Sequence, residues 1–207
     1  MWSSSVSPDA TAFTAQKQEL RRRLNKLAEE LDRYLAREYG VKLGKAKDFE
    51  QWRKSHQPFH WFTEFYGIMH RGGFNVIIGN PPYVVYSTAK VPYSIEPAGY
   101  RTLETKNLYA YVFERSIKLA KPHSPIGFIV QLTALSSEKL ASLQSLLVER
   151  GALFALSFPR RPESMFDGVE MPVAILLSIA IEPKQFITSR VGRSTQRNGR
   201  ISLLRRH

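Results

Sequence analysis

A chain of 207 residues carries 30 Lys and Arg against 18 Asp and Glu, a formal net charge of +12, with 43% hydrophobic residues and no cysteine. That length suits one sizeable domain, and the apolar content is too rich for a disordered chain. The absence of cysteine excludes a disulfide framework, a thiolate zinc site, an iron–sulfur cluster and a cysteine nucleophile; the positive excess points toward a polyanionic partner, although basic soluble surfaces are common.

Met1 to Ala12 are serine-rich and lack the apolar run of a secretory signal. The longest apolar stretch, Val173 to Ile181, is about half of what a membrane-spanning helix needs. No membrane partner is expected, and a cytoplasmic location is the default reading.

Leu20, Leu24, Leu27, Leu31 and Leu35 recur every three or four residues. This predicts one amphipathic helix over 13–39 with a leucine packing stripe and Gly40 as its stop. Lys17, Arg21, Arg22, Arg23 and Lys26 precede Glu29, Glu30 and Asp32. That order is the reverse of what the helix dipole favours, so packing must hold this helix. Residues 41–57 are polar and read as a connector. An aromatic cluster follows: Phe59, His60, Trp61, Phe62, Phe65 and Tyr66. Pro58 suits the first position of a short helix that Gly72-Gly73 ends.

Phe74 to Gly79 is a nearly continuous apolar run between glycines, the pattern of a strand buried on both faces and hence of a parallel sheet. Alternation continues from there. Helical spacing runs from Asn107 to Ala120, Ile126 to Val130 is a strand, and Ser136 to Arg150 is a helix capped by Ser136 or Ser137 and stopped by Gly151. Leu153 to Phe158 and Val173 to Ile181 are further strands. The series predicts an open, largely parallel α/β sheet with helices on its faces. Lys184 to His207 holds seven Lys and Arg, no acid and no strong periodicity; it reads as a basic tail. His56, His60, His70, His123 and His207 have no metal-ligand spacing, so no metal site is expected, and no Ser/His/Asp triad can be assembled.

Directly after the first strand stands Asn80-Pro81-Pro82-Tyr83, where ligands bind in open α/β sheets, just beyond the carboxyl ends of the strands. Turns favour Asn and Pro, yet average residue usage would give this tetrapeptide in roughly one in a thousand chains of this length. A planar exocyclic amine is a poor nucleophile because its lone pair is delocalised into the ring. Two acceptors aimed at its N–H groups draw the nitrogen toward tetrahedral geometry and free that pair. The side-chain oxygen of Asn80 offers one acceptor and the carbonyl of Pro81 the other, with Pro81 and Pro82 holding both rigidly. Tyr83 offers a flat face on which a base, or a planar amide, can stack. The device is positioning and preorganised electrostatics, with no proton-abstracting base.

The run Gly73-Phe74-Asn75-Val76-Ile77-Ile78-Gly79-Asn80-Pro81-Pro82-Tyr83 resembles the catalytic motif of the adenine-N6 DNA methyltransferases of restriction–modification systems. Among these it is most similar to the gamma-type enzymes, often fused to or partnered with a restriction nuclease. Pro58 to Phe65 resembles the segment these enzymes place before the strand. Asn107-Leu108-Tyr109 and the helix to Lys121-Pro122 resemble their next block, and Phe128-Ile129-Val130 their next strand. Phe166-Asp167-Gly168-Val169 resembles the block that supplies a second aromatic. The likeness runs over roughly 13–182 in unbroken order. It implies S-adenosylmethionine as methyl donor and double-stranded DNA as substrate. It also implies Asn80, Pro81, Pro82 and Tyr83 as catalytic residues, with a flipped adenine held between Tyr83 and Phe166.

The departures are equally informative. Asn75, His123-Ser124 and Gln131 stand where the family has Asp, Gly-Gly and Pro. The Asp-Pro-x-x-Gly-x-Gly loop that binds the cofactor, and the acid that holds its ribose, are missing, as is a target-recognition domain. The family sheet runs 3-2-1-4-5-7-6, and the first strand here corresponds to strand 4. The implied fold is therefore α/β, the C-terminal half of a Rossmann-like S-adenosylmethionine-dependent methyltransferase sheet preceded by a long amphipathic helix. Its first strand would keep an unpaired apolar edge, an association liability. The expected division is a helix and connector over 1–57, a catalytic half-domain over 58–182, and a basic segment over 183–207. A fragment of this kind is expected to be inactive alone and to pair with a complementary methyltransferase half or a restriction subunit. Two other functions fit the same residues: a non-catalytic DNA- or partner-binding remnant, and a protein glutamine-N5 methyltransferase. The segment 58–65, the block 107–109 and the basic tail favour DNA.

Overall fold

In a computed structural model, which describes residues 8–87, 95, 99–158, 171–182 and 184–190, the chain divides into two units, Met1–His70 and Arg71–His207. In the first unit, α1 (Pro8–Glu38) is 31 residues long. Its Ala36 is fully buried against Phe49 and Trp52 of α2 (Ala46–His56), with Leu35, Tyr39, Val41 and Leu43 packed around them. Farther along the stripe Leu24 and Leu31 are half-buried, while Leu20 and Leu27 are each 44% exposed. The leucine face is thus packed mainly at one end.

The reversed charge order of α1 has a local cause. Asp32 is buried and meets His60 Nε2 at 2.7 Å and Arg53 Nε at 3.0 Å. Glu19 pairs with Arg22 and Arg23, and Glu29 with Arg33. These i,i+3 and i,i+4 contacts support the helix individually by a few tenths of a kcal/mol, roughly.

The expected connector is instead largely helical. Phe49 and Trp52 lie three apart and share one buried face of α2, and Asp48 in its first turn with Arg53, Lys54 and His56 in its last complement the dipole. Gln57, in the left-handed region at φ 43°, ends it. Pro58 does not open the next helix; α3 (Trp61–Glu64) begins only after His60 and α4 (Tyr66–Met69) follows. The rings of Phe59, Trp61 and Phe65 touch one another at centroid separations of 5.0 to 6.1 Å.

The second unit is a five-stranded sheet in the order β1-β2-β4-β3-β5. The strands are β1 (Ile77–Gly79), β2 (Ile126–Gln131), β3 (Ala152–Phe158), β4 (Val173–Ile179) and β5 (Gln185–Arg190). β1 pairs parallel with β2, and β5 parallel with β3, while β4 runs antiparallel to both β2 and β3. The succession β1-β2-β4-β3 is the 4-5-7-6 order that the resemblance implies. β5 adds a further edge strand where a tail without structure was expected; its Phe186 and Ile187 are 58% and 42% exposed.

Two helices connect the parallel strands, α5 (Leu108–Leu119) and α6 (Ala141–Arg150). Tyr109, Ala110 and Phe113 of α5 and Leu143 and Leu147 of α6 share one core with Ile126, Phe128, Val130, Ala155, Ala174 and Leu176. Both helices therefore cover the same sheet face, rather than one on each. On the opposite face Ile78, Gly127, Leu177 and Phe154 are mutual cross-strand partners. Ile78 is 78% exposed there, so β1 is not buried on both faces as its composition suggested. Short 3₁₀ turns at Leu132–Leu135 and Glu138–Leu140 replace the first turn expected of α6. Asn107 and Ala120 flank α5 where the spacing placed its ends.

Gly73 shows why the pair of glycines precedes β1. Its φ is +112°, and a Cβ there would collide with the carbonyl oxygen of Leu119. That close approach lets Phe74 N–H donate to Leu119 O and Lys121 N–H donate to Phe74 O, pinning the start of β1 to the end of α5.

Candidate functional site

Asn80 leaves the carboxyl end of β1, next to β2, which points the same way. Its side chain is exposed and makes no hydrogen bond among the described residues; Pro81 is buried and Pro82 exposed. Nor does any described donor bond the carbonyl of Pro81. Both acceptors singled out in the sequence are thus uncommitted within the described residues. A buried proline with fixed φ anchors the pair, so neither acceptor has to be released from the protein before use.

Tyr83 is half-buried. Its ring packs edge to face on Tyr109, centroids 6.2 Å apart and planes at 89°. Its hydroxyl is buried without a partner among the described residues, and burial pushes its pKa up. Tyr109 itself is fully buried; burial raises its pKa too, with Thr133 opposing and Tyr83 adding to the shift. Aromatic pairs of this geometry are worth about 0.5–1.5 kcal/mol beyond burial, enough to restrict how the Tyr83 ring turns.

The chain after Tyr83 is tied down as well. Leu108 N–H donates to Val84 O at 3.0 Å and Tyr86 N–H to Lys106 O at 2.7 Å, around an antiparallel bridge between Val85 and Asn107. The block Asn107-Leu108-Tyr109 is therefore brought directly against the motif. Backbone bonds from 106–108 hold its outgoing chain, and Tyr109 supports its aromatic ring. The contact between Tyr83 and Tyr109 was not derivable from spacing, since 26 residues separate them. The only sequence signal was that each belongs to a block of the same resemblance.

Phe166 lies outside the described residues. The nearest described residues on either side of it are Phe158 and Met171, and Phe158 pairs with Val173 at the end of the sheet where Gln131 closes β2. Among the described residues no group of three His, Asp or Glu could hold a metal ion, and no helix is long and apolar enough to cross a membrane.

The cofactor fits less well. A close backbone approach to a bound nucleoside needs glycine in the turn after a parallel strand. Neither Asn80–Ser87 after β1 nor Leu132–Ser137 after β2 contains one. Among the described residues no strand pairs with the free edge of β1, and so none carries such a loop beside Asn80. The described residues do not make a complete S-adenosylmethionine site.

Comparison with known proteins bears on the same elements. A family model described as Eco57I restriction-modification methylase matches residues 5–157. A Methanocaldococcus jannaschii protein named as a type II restriction enzyme and methyltransferase is 28% identical over 128 residues, 62% of this chain and 10% of that protein. The chain thus spans about a tenth of that relative's length. Among solved structures, a nuclease-deletion mutant of the Type ISP restriction-modification enzyme LlaGI, in complex with a DNA substrate mimic, is similar at a TM-score of 0.49 and 15% identity, over 62% of this chain and 15% of that one. A Listeria monocytogenes protein described as a class I S-adenosylmethionine-dependent methyltransferase is similar at 0.47 and 14%, over 60% of this chain and 38% of that one. The family match takes in α1 to β3, the Asn80–Tyr83 turn and the helix that supports it. This chain belongs to the Eco57I restriction-modification methylase family.

Proposed function

We propose that this chain supplies the base-binding and catalytic half of an adenine-N6 DNA methyltransferase working in restriction–modification. The observation that carries the reading is the state of the Asn80–Tyr83 turn. Two acceptors uncommitted among the described residues stand at the end of a parallel strand, beside a tyrosine ring braced by Tyr109. The two hydrogens of an exocyclic amine match two acceptors, one on Asn80 and one on Pro81, and each bond pulls electron density back onto the nitrogen. Tyr83 takes one face of an extruded base, and Phe166 takes the other. Unstacking the base costs a few kcal/mol, roughly, which stacking on these rings offsets.

S-adenosylmethionine supplies the electrophilic methyl group in this reading. It is bound mainly by a complementary half that carries the glycine-rich loop and pairs along the free edge of β1. This chain alone is inactive in methyl transfer. The net charge of +12 supplies the sequence-independent attraction to duplex DNA. A restriction subunit is a second partner.

The test is the identity of the methylated product. The chain is combined with a polypeptide bearing the cofactor-binding half, given methyl-labelled S-adenosylmethionine with duplex DNA and with protein, and the products are digested. N6-methyldeoxyadenosine is expected. Label on a protein glutamine, or on a cytosine, overturns the assignment.

A further inference from the structure

Glu114 is a buried carboxylate that the chemistry above does not use. It lies on α5, and its oxygens accept three hydrogen bonds from one short loop. These come from Arg101 N–H at 3.0 Å, Thr102 N–H at 3.0 Å and Thr102 Oγ1 at 2.9 Å. Thr102 is fully buried and Glu114 nearly so. The remaining contact is Lys118 Nζ, one turn on and 3.7 Å away.

The loop so held leads back to the candidate site. Thr105 N–H and Oγ1 both donate to Thr102 O, and Lys106 N–H donates to Leu103 O, closing a 3₁₀ turn over Leu103–Thr105. Tyr111, also on α5, donates its hydroxyl to Leu103 O at 2.9 Å. Lys106 then sits in the left-handed region at φ 48°, a conformation that a lysine keeps only where its surroundings impose it. From there its carbonyl takes the Tyr86 N–H, and Leu108 N–H reaches Val84 O. The residues bonded are those that follow Asn80-Pro81-Pro82-Tyr83.

We propose that Glu114 is the positioning residue of the Asn80–Tyr83 turn: it fixes the loop 101–106 on α5, and that loop fixes the outgoing chain of the turn. The proposal rests on the reading of Asn80–Tyr83 as the base-binding site. It explains why the family-like block from Asn107 onward holds an acid facing inward. A neutral side chain could fill the space, but only an acceptor with several lone pairs satisfies two backbone N–H groups and a hydroxyl at once. A buried donor left without its acceptor would open the loop to water.

Amide hydrogen exchange on the whole chain tests this. In the wild type, Thr102, Tyr86 and Leu108 are expected to open as one unit, with protection alike within about threefold. Glu114→Gln turns an N–H donor toward Thr102, and is expected to lower protection at Tyr86 and Leu108 about 30- to 100-fold, while the β2 amides change less than about threefold. Thr102→Val, a milder change, is expected to lower the same two amides about three- to tenfold. Tyr86 protection unchanged by both variants, or Tyr86 opening independently of Thr102 in the wild type, overturns the proposal. The wild-type and Thr102→Val arms decide the matter even if Glu114→Gln does not fold. In the complemented enzyme, Glu114→Gln should lower kcat with the KM for DNA nearly unchanged. Loosened amides with unaltered kcat would sink the reading of the site while leaving the positioning intact.

Discussion

Tyr83 combines two demands that a substitution series separates. Its ring is a platform braced by Tyr109, while its hydroxyl is buried without a partner among the described residues. A polar group stranded in this way costs stability, so Tyr83→Phe should be neutral or stabilising by up to about 1 kcal/mol. Tyr83→Ala should cost about 1–3 kcal/mol, because it removes a half-buried ring and its edge-to-face contact. Denaturant unfolding of the three proteins checks the ordering. At Glu114 burial works to raise the pKa, but the hydrogen bonds from Arg101 and Thr102 and the nearby Lys118 charge outweigh it and hold the carboxyl below the ordinary 4.5. The sign follows from a folded-state pKa below the unfolded one. The contribution is complete above the unfolded value and is lost as pH falls through the folded one. Stability measured from neutral pH down through the carboxylate range should therefore fall less in Glu114→Gln than in the wild type. The four residues of the turn were legible in the sequence because their chemistry is local: an acceptor, two rigid rings and a flat ring. Tyr109 as a brace and Glu114 as an anchor were not, since both act through contacts made only when α5 docks.

At the scale of elements, the long leucine stripe of α1 overstated its own packing. Periodicity reports which residues share a face and says nothing of whether anything lies against it. Leu27 is 44% exposed, whereas Trp52, from a stretch that reads as polar, is buried beside Ala36. Accordingly Trp52→Ala should cost about 3–5 kcal/mol of the stability of the first unit, and Leu27→Ala under about 1 kcal/mol. Thermal unfolding followed by helical circular dichroism separates the two. α2 went unrecognised because only Phe49 and Trp52 mark its inner face, too few for a periodic signal. α5 and β2 to β4 were placed within a residue or two, because each alternates or repeats over its full length and is bounded by turn residues. β5 was missed for the opposite reason. An edge strand needs no long apolar run, and Phe186 and Ile187 stand among polar residues.

For the whole molecule, strand order settles more than composition did. The arrangement β1-β2-β4-β3 with β4 reversed matches one side of the family's sheet, with β1 at its edge. The net charge of +12 suggested a polyanion and nothing narrower; under the proposed function, the turn after β1 narrows that partner to duplex DNA. The same topology accounts for the poor fit of the cofactor. With no glycine in the turns after β1 and β2, added S-adenosylmethionine should leave the thermal midpoint of this chain alone unmoved, because only a ligand bound by the folded state raises it. A dose-dependent rise would show a cofactor site that the turns do not supply.

The central claim is that Asn80 and Pro81 activate an exocyclic amine through hydrogen bonds alone. The most direct measurement compares Asn80→Ala with the wild type in the complemented enzyme, following methyl transfer to duplex DNA and DNA binding in parallel. Removing one such preorganised partner should lower kcat by about 10²–10³, with the DNA dissociation constant changed less than about threefold. Turnover equal to the wild type, or a loss that appears only in DNA binding, would contradict the account.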